Sequence, residues 1–216
     1  MFLTRAQSAG RGTRGRSFES PEGAGLYFSL LIYPPLHAKD AHLLTSAAAV
    51  AVCRALERES KGISPRIKWV NDVYLGERKL CGILTEGECD DCGMLRYAVI
   101  GIGINVKRAA LSTEVLAIAT SLEDAGVVAE PTDLAARITK ELLKLLSDTQ
   151  EIADEYRARS MLIGREVEIT AGCEAKAERV VDIDPECALI TEDEDKRIHR
   201  YISGDVKVRP TEKEDT

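Results

Sequence analysis

The sequence predicts an α+β fold, with a mixed or antiparallel sheet and helices over residues 1–160 and a small β-barrel after it. Three observations carry this reading. Strand-like runs bounded by Gly, Asp and Pro turn signals fill residues 25–33 and 66–104. Apolar residues recur at helical spacing around residues 41–60, 113–125, 133–146 and 151–159. After Gly164 the helical spacing stops and only short strands at turn-like intervals remain.

Each element has a local reason. Arg5–Ser20 is rich in Gly, Arg, Ser and Thr and reads as loop. Gly25–Tyr33 is dense in apolar and aromatic residues and stops at Pro34-Pro35, as a buried strand does. Asp40 is the expected N-cap of a helix over Ala41–Ser60. Leu43, Leu44, Ala47, Ala48, Ala51 and Ala55 form its inner stripe, and Gly62 ends it. Strands follow at Arg66–Trp69, Val73–Leu75, Lys79–Thr85 and Leu95–Ile104, with hairpin connections at Gly76-Glu77 and within Gly87–Gly93. A helix over Thr113–Ala125 is expected between Ser112 and Gly126. A second, Asp133–Leu146, places Leu134, Ile138, Leu142 and Leu145 on one face. A shorter one, Glu151–Arg159, has Ile152 and Tyr156 four apart. Short strands at Val167–Ile169, Ala175–Ile183, Ala188–Ile190, Ile198–Ile202 and Val206–Val208 complete the chain. The expected division is therefore residues 1–160, a small β-domain at 161–210 and a polar tail at 211–216, with the boundary near Met161 to Gly164.

With 216 residues the chain can bury a core without covalent staples. Apolar residues at 44 % and charged residues at 30 % exclude global disorder. A net charge of −7 argues against a general nucleic-acid binder. That total averages two unlike segments. Met1–Ser20 has four arginines against one acid, a net of +3, whereas Asp182–Asp195 holds seven acids and no base. The longest apolar run, Ala47–Cys53, has seven residues, and a membrane helix needs roughly 20. The opening MFLTRAQ lacks an apolar signal core, so a cytoplasmic location with reduced thiols is expected. Six cysteines are too few for a disulfide scaffold, and Cys89-Asp-Asp-Cys92 supplies only two of the four ligands of a structural zinc. A plain loop is expected there.

Four segments have residue types suited to chemistry. In Gly10-Arg-Gly-Thr-Arg-Gly-Arg16, glycines let backbone N–H groups approach a ligand and arginines offer forked positive charge to phosphate or carboxylate. Composition leaves a ligand-binding loop and an RNA-binding Arg/Gly tail both open. Lys68-Trp-Val-Asn-Asp72 offers an aromatic face and polar groups to a nucleotide, or is a strand leading into an Asn-Asp turn. Lys79 opens the apolar run Lys79-Leu-Cys-Gly-Ile-Leu-Thr-Glu86 and needs an anion or water; Gly82 would allow close approach. Ile100-Gly-Ile-Gly-Ile-Asn-Val106 lacks the third glycine and the following helix of a dinucleotide fingerprint.

Their order is more informative than any one of them. Gln7-x-Ala-Gly-Arg-Gly-x-x-Gly-Arg16, Lys68-Trp-x-Asn-Asp72, Lys79-x-x-Gly-Ile-Leu-x-Glu86 and Gly101-Ile-Gly-Ile-Asn105 together resemble the biotin protein ligase family. Gly164-Arg-Glu-Val167, Asp182-Ile-Asp184, Leu189-Ile190 and Ser203-Gly-Asp-Val206 look like that family's C-terminal barrel. The resemblance runs from about Phe2 to Arg209.

The resemblance implies a class II synthetase-like catalytic domain with a Src-homology-like barrel. It implies an enzyme that joins biotin to ATP as biotinyl-5'-adenylate and passes biotin to one lysine of a carboxylase's biotin carboxyl carrier domain. Lys79 would bridge the biotin carboxylate and the α-phosphate, with Arg11 as its catalytic companion. Gln7, Gly10, Arg11, Gly12, Thr13 and Gly82 would lie along biotin and the adenylate. Arg14, Arg16, Trp69, Asn71, Asp72 and Asn105 would meet ATP. Mg²⁺ would accompany ATP, with Asp72 the carboxylate in reach. Neither nucleic acid nor membrane is an expected partner, and a homodimer is compatible with the resemblance. A lipoate or octanoate ligase of the same fold, or a truncated relative that only binds, is the competing reading. Thr13 stands where many family members carry a basic residue, Val70 replaces a usual Pro and Phe18 a usual Trp. The family's earlier strand–helix unit of roughly 30–40 residues, one supersecondary motif in size, is expected to be missing ahead of the Gln7 motif, as is a DNA-binding helix-turn-helix.

Overall fold

The computed structural model describes residues 1–108, 111–171 and 174–208. In chain order its elements are β1 (Phe2–Thr4), β2 (Gly25–Ile32), α1 (His42–Glu59), β3 (Arg66–Lys68), β4 (Asp72–Leu75), β5 (Arg78–Cys89) and β6 (Leu95–Asn105). There follow α2 (Thr113–Ile118), α3 (Pro131–Leu145), α4 (Thr149–Ala158), β7 (Glu166–Ala171), β8 (Glu174–Ile183), β9 (Leu189–Glu192), β10 (Ile198–Tyr201) and β11 (Asp205–Val208).

Six strands pair in the order β1-β2-β6-β5-β4-β3, every neighbour antiparallel. Alternation sorts the two faces. Leu26, Phe28 and Leu30 of β2, Ile100, Ile102 and Ile104 of β6, and Cys81 and Ile83 of β5 point into the core. Helix α1 lies on that face, and Thr45 Oγ1 donates to Thr85 Oγ1 at 2.8 Å across the contact. Every residue from Leu44 to Cys53 is buried, more than a single stripe, because α3 and α4 cover the side of α1 turned away from the sheet. Ion pairs join the three helices. Arg54 meets Glu141 at 3.7 Å, Glu151 at 2.6 Å and also Glu155, and Arg159 pairs with Glu57 at 2.5 Å.

Several boundaries differ from expectation. Asp40 ends a short 3₁₀ turn and does not cap α1, whose N-cap is Ala41 without a side-chain bond. Strand β5 continues through Gly87 to Cys89 because Gly87 pairs with Ala98, so the hairpin turn is the tighter Asp90–Met94. Cys89 and Cys92 are exposed there, and Asp90 Oδ1 accepts the Cys92 and Met94 N–H groups at 2.9 Å. Helix α2 stops at Ile118, since Ala119 turns to bridge Lys79. Helix α3 starts earlier, with Pro131 in its first turn where no N–H is needed.

The second sheet runs β10-β9-β8-β7-β11, also antiparallel, with Val167, Ile169, Val180, Ile183, Leu189 and Val206 buried. These strands form the small C-terminal β-domain expected, and its edge strands β10 and β11 do not pair with each other among the described residues. The β8–β9 register shifts between Val180 and Asp182, as at a β-bulge. Its apolar side joins the same core as the first sheet. The Trp69 indole N–H donates to Cys187 O at 3.1 Å, and the Tyr156 hydroxyl to Val70 O at 2.9 Å. Among the described residues no helix is long and apolar enough to cross a membrane.

Candidate active site

The face of the six-stranded sheet opposite α1 floors a cleft of about 900 Å³, a volume typical of small-molecule sites. Antiparallel register explains its floor. Gly103 of β6 sits between Tyr27 of β2 and Gly82 of β5, and Gly101 between Ser29 and Leu84. The alternation in Ile100-Gly-Ile-Gly-Ile104 thus sends every isoleucine to the core and both glycines to the cleft.

Gly103 and its neighbour Gly82 seat a side chain of the protein itself. A Cβ at Gly103 would lie 2.7 Å from Phe18 Cε1, and one at Gly82 would lie 3.0 Å from Phe18 Cε2. Phe18 meets Tyr27 edge-on, with ring centroids 6.3 Å apart. The Arg/Gly segment is a closed loop over this floor, with Phe18 N–H donating to Gly10 O at 2.9 Å and Gly12 N–H to Arg16 O at 2.7 Å. Its tip is a 3₁₀ turn, Thr13–Gly15, with Arg14 at φ 57° and Gly15 at φ 73°. Gly10 itself lies beside the cleft: a Cβ there would sit 2.2 Å from Phe18 O, so this position tolerates only hydrogen.

Among the described residues five cations line the cleft: Arg11, Arg14, Arg16, Lys68 and Lys79. Lys79 Nζ lies 2.7 Å from Asp72 Oδ1, and its terminal carbons pass over Gly82, where a Cβ would come within 3.3 Å. Arg11 is 3.8 Å from Glu86. Arg14 donates to Thr170 O at 3.2 Å, and Arg16 pairs with Asp205, so the loop leans on the second sheet. Lys68 is a cleft cation that reading the motif for its Trp, Asn and Asp passed over, although it opens that same motif. Burial pushes its pKa below the ordinary lysine value; Asp72 and Asp205 oppose this, and the Lys79 and Arg16 charges add to it. The Tyr27 hydroxyl is buried in the cleft without a hydrogen-bond partner among the described residues, and burial, aided by the Glu19 charge, raises its pKa to about 12.

Gln7, Thr13, Trp69, Asn71 and Asp72 also line the cleft. Trp69, however, is 3 % exposed and spends its N–H on Cys187, so its large faces are packing surface rather than a free stacking platform. A Cβ on Gly204 would lie 3.2 Å from its ring. Asn71 ties the β3–β4 turn to β5, its amide donating to Ile83 O at 2.8 Å. Asn105 is not brought into the cleft. It is buried at the end of β6 and donates to Thr120 O at 3.1 Å, while Thr120 N–H donates to Lys79 O at 2.8 Å. It therefore stands behind Lys79 and not over a ligand. Ser203, Gly204, Asp205 and Val206 supply a wall from the second sheet that composition did not single out.

A family model of the biotin/lipoate A/B protein ligase family matches residues 1–105, which hold every strand of the cleft floor. The bifunctional ligase/repressor BirA of Escherichia coli is 34 % identical over 96 % of this chain and 65 % of its own length. The Bacillus subtilis protein of that name is 41 % identical over 56 % of this chain and 37 % of its own. Residues 1–105 are thus similar to the biotin/lipoate A/B protein ligase family. Among solved structures, an Aquifex aeolicus biotin protein ligase in complex with biotin and ATP superposes with a TM-score of 0.80 at 27 % identity, over 97 % of this chain and 88 % of that one. The chain spans less than two thirds of the length of the Escherichia and Bacillus ligases. The superposition on the Aquifex structure takes in both the mixed α+β part and the antiparallel second sheet that follows it.

Proposed function

We propose that this protein is an ATP-dependent biotin–protein ligase that makes biotinyl-5'-adenylate and hands biotin to a lysine of a biotin carboxyl carrier domain. The observation that carries the reading is the placement of Lys79. Its ammonium is held in the cleft by Asp72, on a glycine floor and under an arginine-rich loop. In the first step a biotin carboxylate oxygen attacks the α-phosphorus of ATP, and the bond to the β-phosphate oxygen breaks with release of pyrophosphate. Two anions must meet, so fixed cations at the point of attack lower the barrier. Lys79 would meet the carboxylate and α-phosphate with Arg11 along the adenylate, while Arg14, Arg16 and Lys68 would meet the remaining phosphate charge. In the second step the carrier lysine's neutral amine attacks the biotinyl carbonyl carbon, AMP leaves with the C–O electron pair and the amine gives up a proton. Here orientation does most of the work because the acyl group is already activated.

Bound magnesium would screen the phosphates further. Asp72 is the carboxylate that would meet it, sharing the charge that otherwise faces Lys79 at 2.7 Å. The test is pyrophosphate release from the purified chain, dependent on both ATP and biotin, followed by mass gain of a carrier domain. Release supported by lipoate or octanoate in place of biotin would instead favour the other branch of the family. No release with any of the three acids would reject the enzyme.

A further inference from the structure

Helix α2 has only six residues, none of them buried. An isolated helix of that length does not persist in water, and apolar packing does not hold this one. Its ends do. At the far end Ile118 reaches the cleft, Ala119 bridges Lys79, and Thr120 N–H donates to Lys79 O at 2.8 Å. At the near end Ser112 caps the helix, its hydroxyl accepting Val115 N–H at 3.4 Å. Ser112 is itself gripped by Glu19. One carboxylate oxygen accepts Ser112 N–H at 2.9 Å and the other accepts its hydroxyl at 2.6 Å, across 93 residues of sequence. Glu19 follows Phe18, the residue seated on Gly82 and Gly103, and precedes Ser20, whose carbonyl accepts Gln7 N–H at 3.0 Å. The Arg/Gly loop resembles α2 in this respect, since its tip Thr13–Gly15 also buries nothing. Two thinly packed segments therefore flank one cleft and share a bidentate contact.

We propose that Glu19 is a positioning residue: its carboxylate clasps α2 to the foot of the Arg/Gly loop, so that the two rims of the cleft order together. A rim held by hydrogen bonds instead of burial opens locally at low cost, and coupling the two rims makes ligand meet both or neither. The consequence for catalysis rests on the ligase reading; the clasp itself does not.

The experiment compares wild type, Glu19→Ala, Glu19→Gln, Ser112→Ala and the Glu19→Ala/Ser112→Ala double variant. Amide hydrogen exchange is measured at residues 113–119 and 12–18 without ligand, and adenylation kinetics are measured with ATP and biotin. Glu19→Ala should speed exchange about tenfold in both segments, the loss expected when a charged double acceptor is removed. Glu19→Gln, which keeps one acceptor oxygen for the Ser112 N–H, should fall between. Ser112→Ala also frays α2 by removing its cap, so its diagnostic readout is segment 12–18, which it should loosen through Glu19. The double variant should exchange no faster in 12–18 than Glu19→Ala alone. KM for ATP should rise about three- to tenfold with kcat within about twofold, because the clasp orders the rims around bound ligand rather than touching the reacting atoms. Faster exchange in α2 alone, unchanged exchange in both segments, or independent effects in the double variant would each overturn the clasp. A wild-type chain that forms no adenylate would defeat the ligase reading, and the exchange comparison would still decide the clasp.

Discussion

Replacing Gly103 with alanine tests whether the glycine floor exists to seat Phe18. The new methyl would lie 2.7 Å from Phe18 Cε1, 2.8 Å from Cζ and 3.4 Å from Cδ1. Carbon atoms in contact normally stand about 3.5–4.0 Å apart, so the ring must retreat by roughly 1 Å. It cannot slide sideways onto β5, because it already sits close over Gly82. Retreat loosens its edge contact with Tyr27 and pulls on the Phe18–Gly10 closure of the loop. Overpacking of this kind costs about 1–3 kcal/mol. At about 1.4 kcal/mol per factor of ten, that is roughly a 5- to 150-fold fall in the population with the loop seated. The assay pairs urea unfolding with calorimetric titration of ATP and biotin. The expected result is a nearly unchanged unfolding midpoint with ligand affinity weakened within that range, because the loop yields before the sheet does. Phe18→Ala in the same chain should remove most of the added penalty, giving a coupling of at least about 1 kcal/mol. Unchanged affinity in Gly103→Ala, or strict additivity with Phe18→Ala, would refute the reasoning.

Three further outcomes are expected. Lys79→Ala should cut adenylation several-hundred-fold or more, since one preorganised donor is typically worth about 3–4 kcal/mol in such a step; single-turnover pyrophosphate release measures this, and retained turnover would remove Lys79 from the chemistry. Asp205→Ala should weaken ATP binding about two- to fivefold while moving stability by less than about 1 kcal/mol, because the Arg16–Asp205 pair is largely exposed but anchors the loop on β11; tighter binding would mean that Asp205 competes with phosphate for Arg16. Acid should weaken the helical layer through Glu155. Burial alone would raise its pKa, but hydrogen bonds and charge from Arg54 and Arg159 outweigh that and hold it below the ordinary 4.5. A depressed carboxylate stabilises fully above its unfolded value and loses that contribution as pH falls through the folded one. Melting temperature should therefore drop below about pH 4.5, and Glu155→Gln should flatten that limb while lowering stability at pH 7; an unchanged acid limb in the variant would locate the sensitivity elsewhere.

Much of the fold was legible locally. The buried strand in the apolar run Gly25–Tyr33, the Leu134, Ile138, Leu142 and Leu145 face of α3, and the turn at Gly76 each follow from residues close together in the chain, and the structure keeps all three. Arg11, Arg14, Arg16, Asp72 and Lys79, named from separate motifs, line one cleft. What failed locally did so where distant chain competes for the backbone. Helix α2 has good helical spacing to residue 125, yet Ala119 leaves the helix to bridge Lys79. Asp40 has a capping side chain, yet a 3₁₀ turn uses its backbone.

The division between sequence and tertiary structure follows the same line. By itself the sequence determined which residues carry charge, which glycines leave room and which segments alternate, because those are properties of one residue and its near neighbours. Only the tertiary structure decided who uses the room. Gly82 and Gly103 lie 21 positions apart and meet through antiparallel register, and what occupies their space is Phe18. Trp69, read as an aromatic face for a nucleotide, is buried against Gly204 and Cys187 once the second sheet folds onto the first. Asn105, read as a ligand contact, holds Thr120 behind Lys79. A side chain's chemistry is set by its own atoms, but its partner is set by which distant strand arrives beside it.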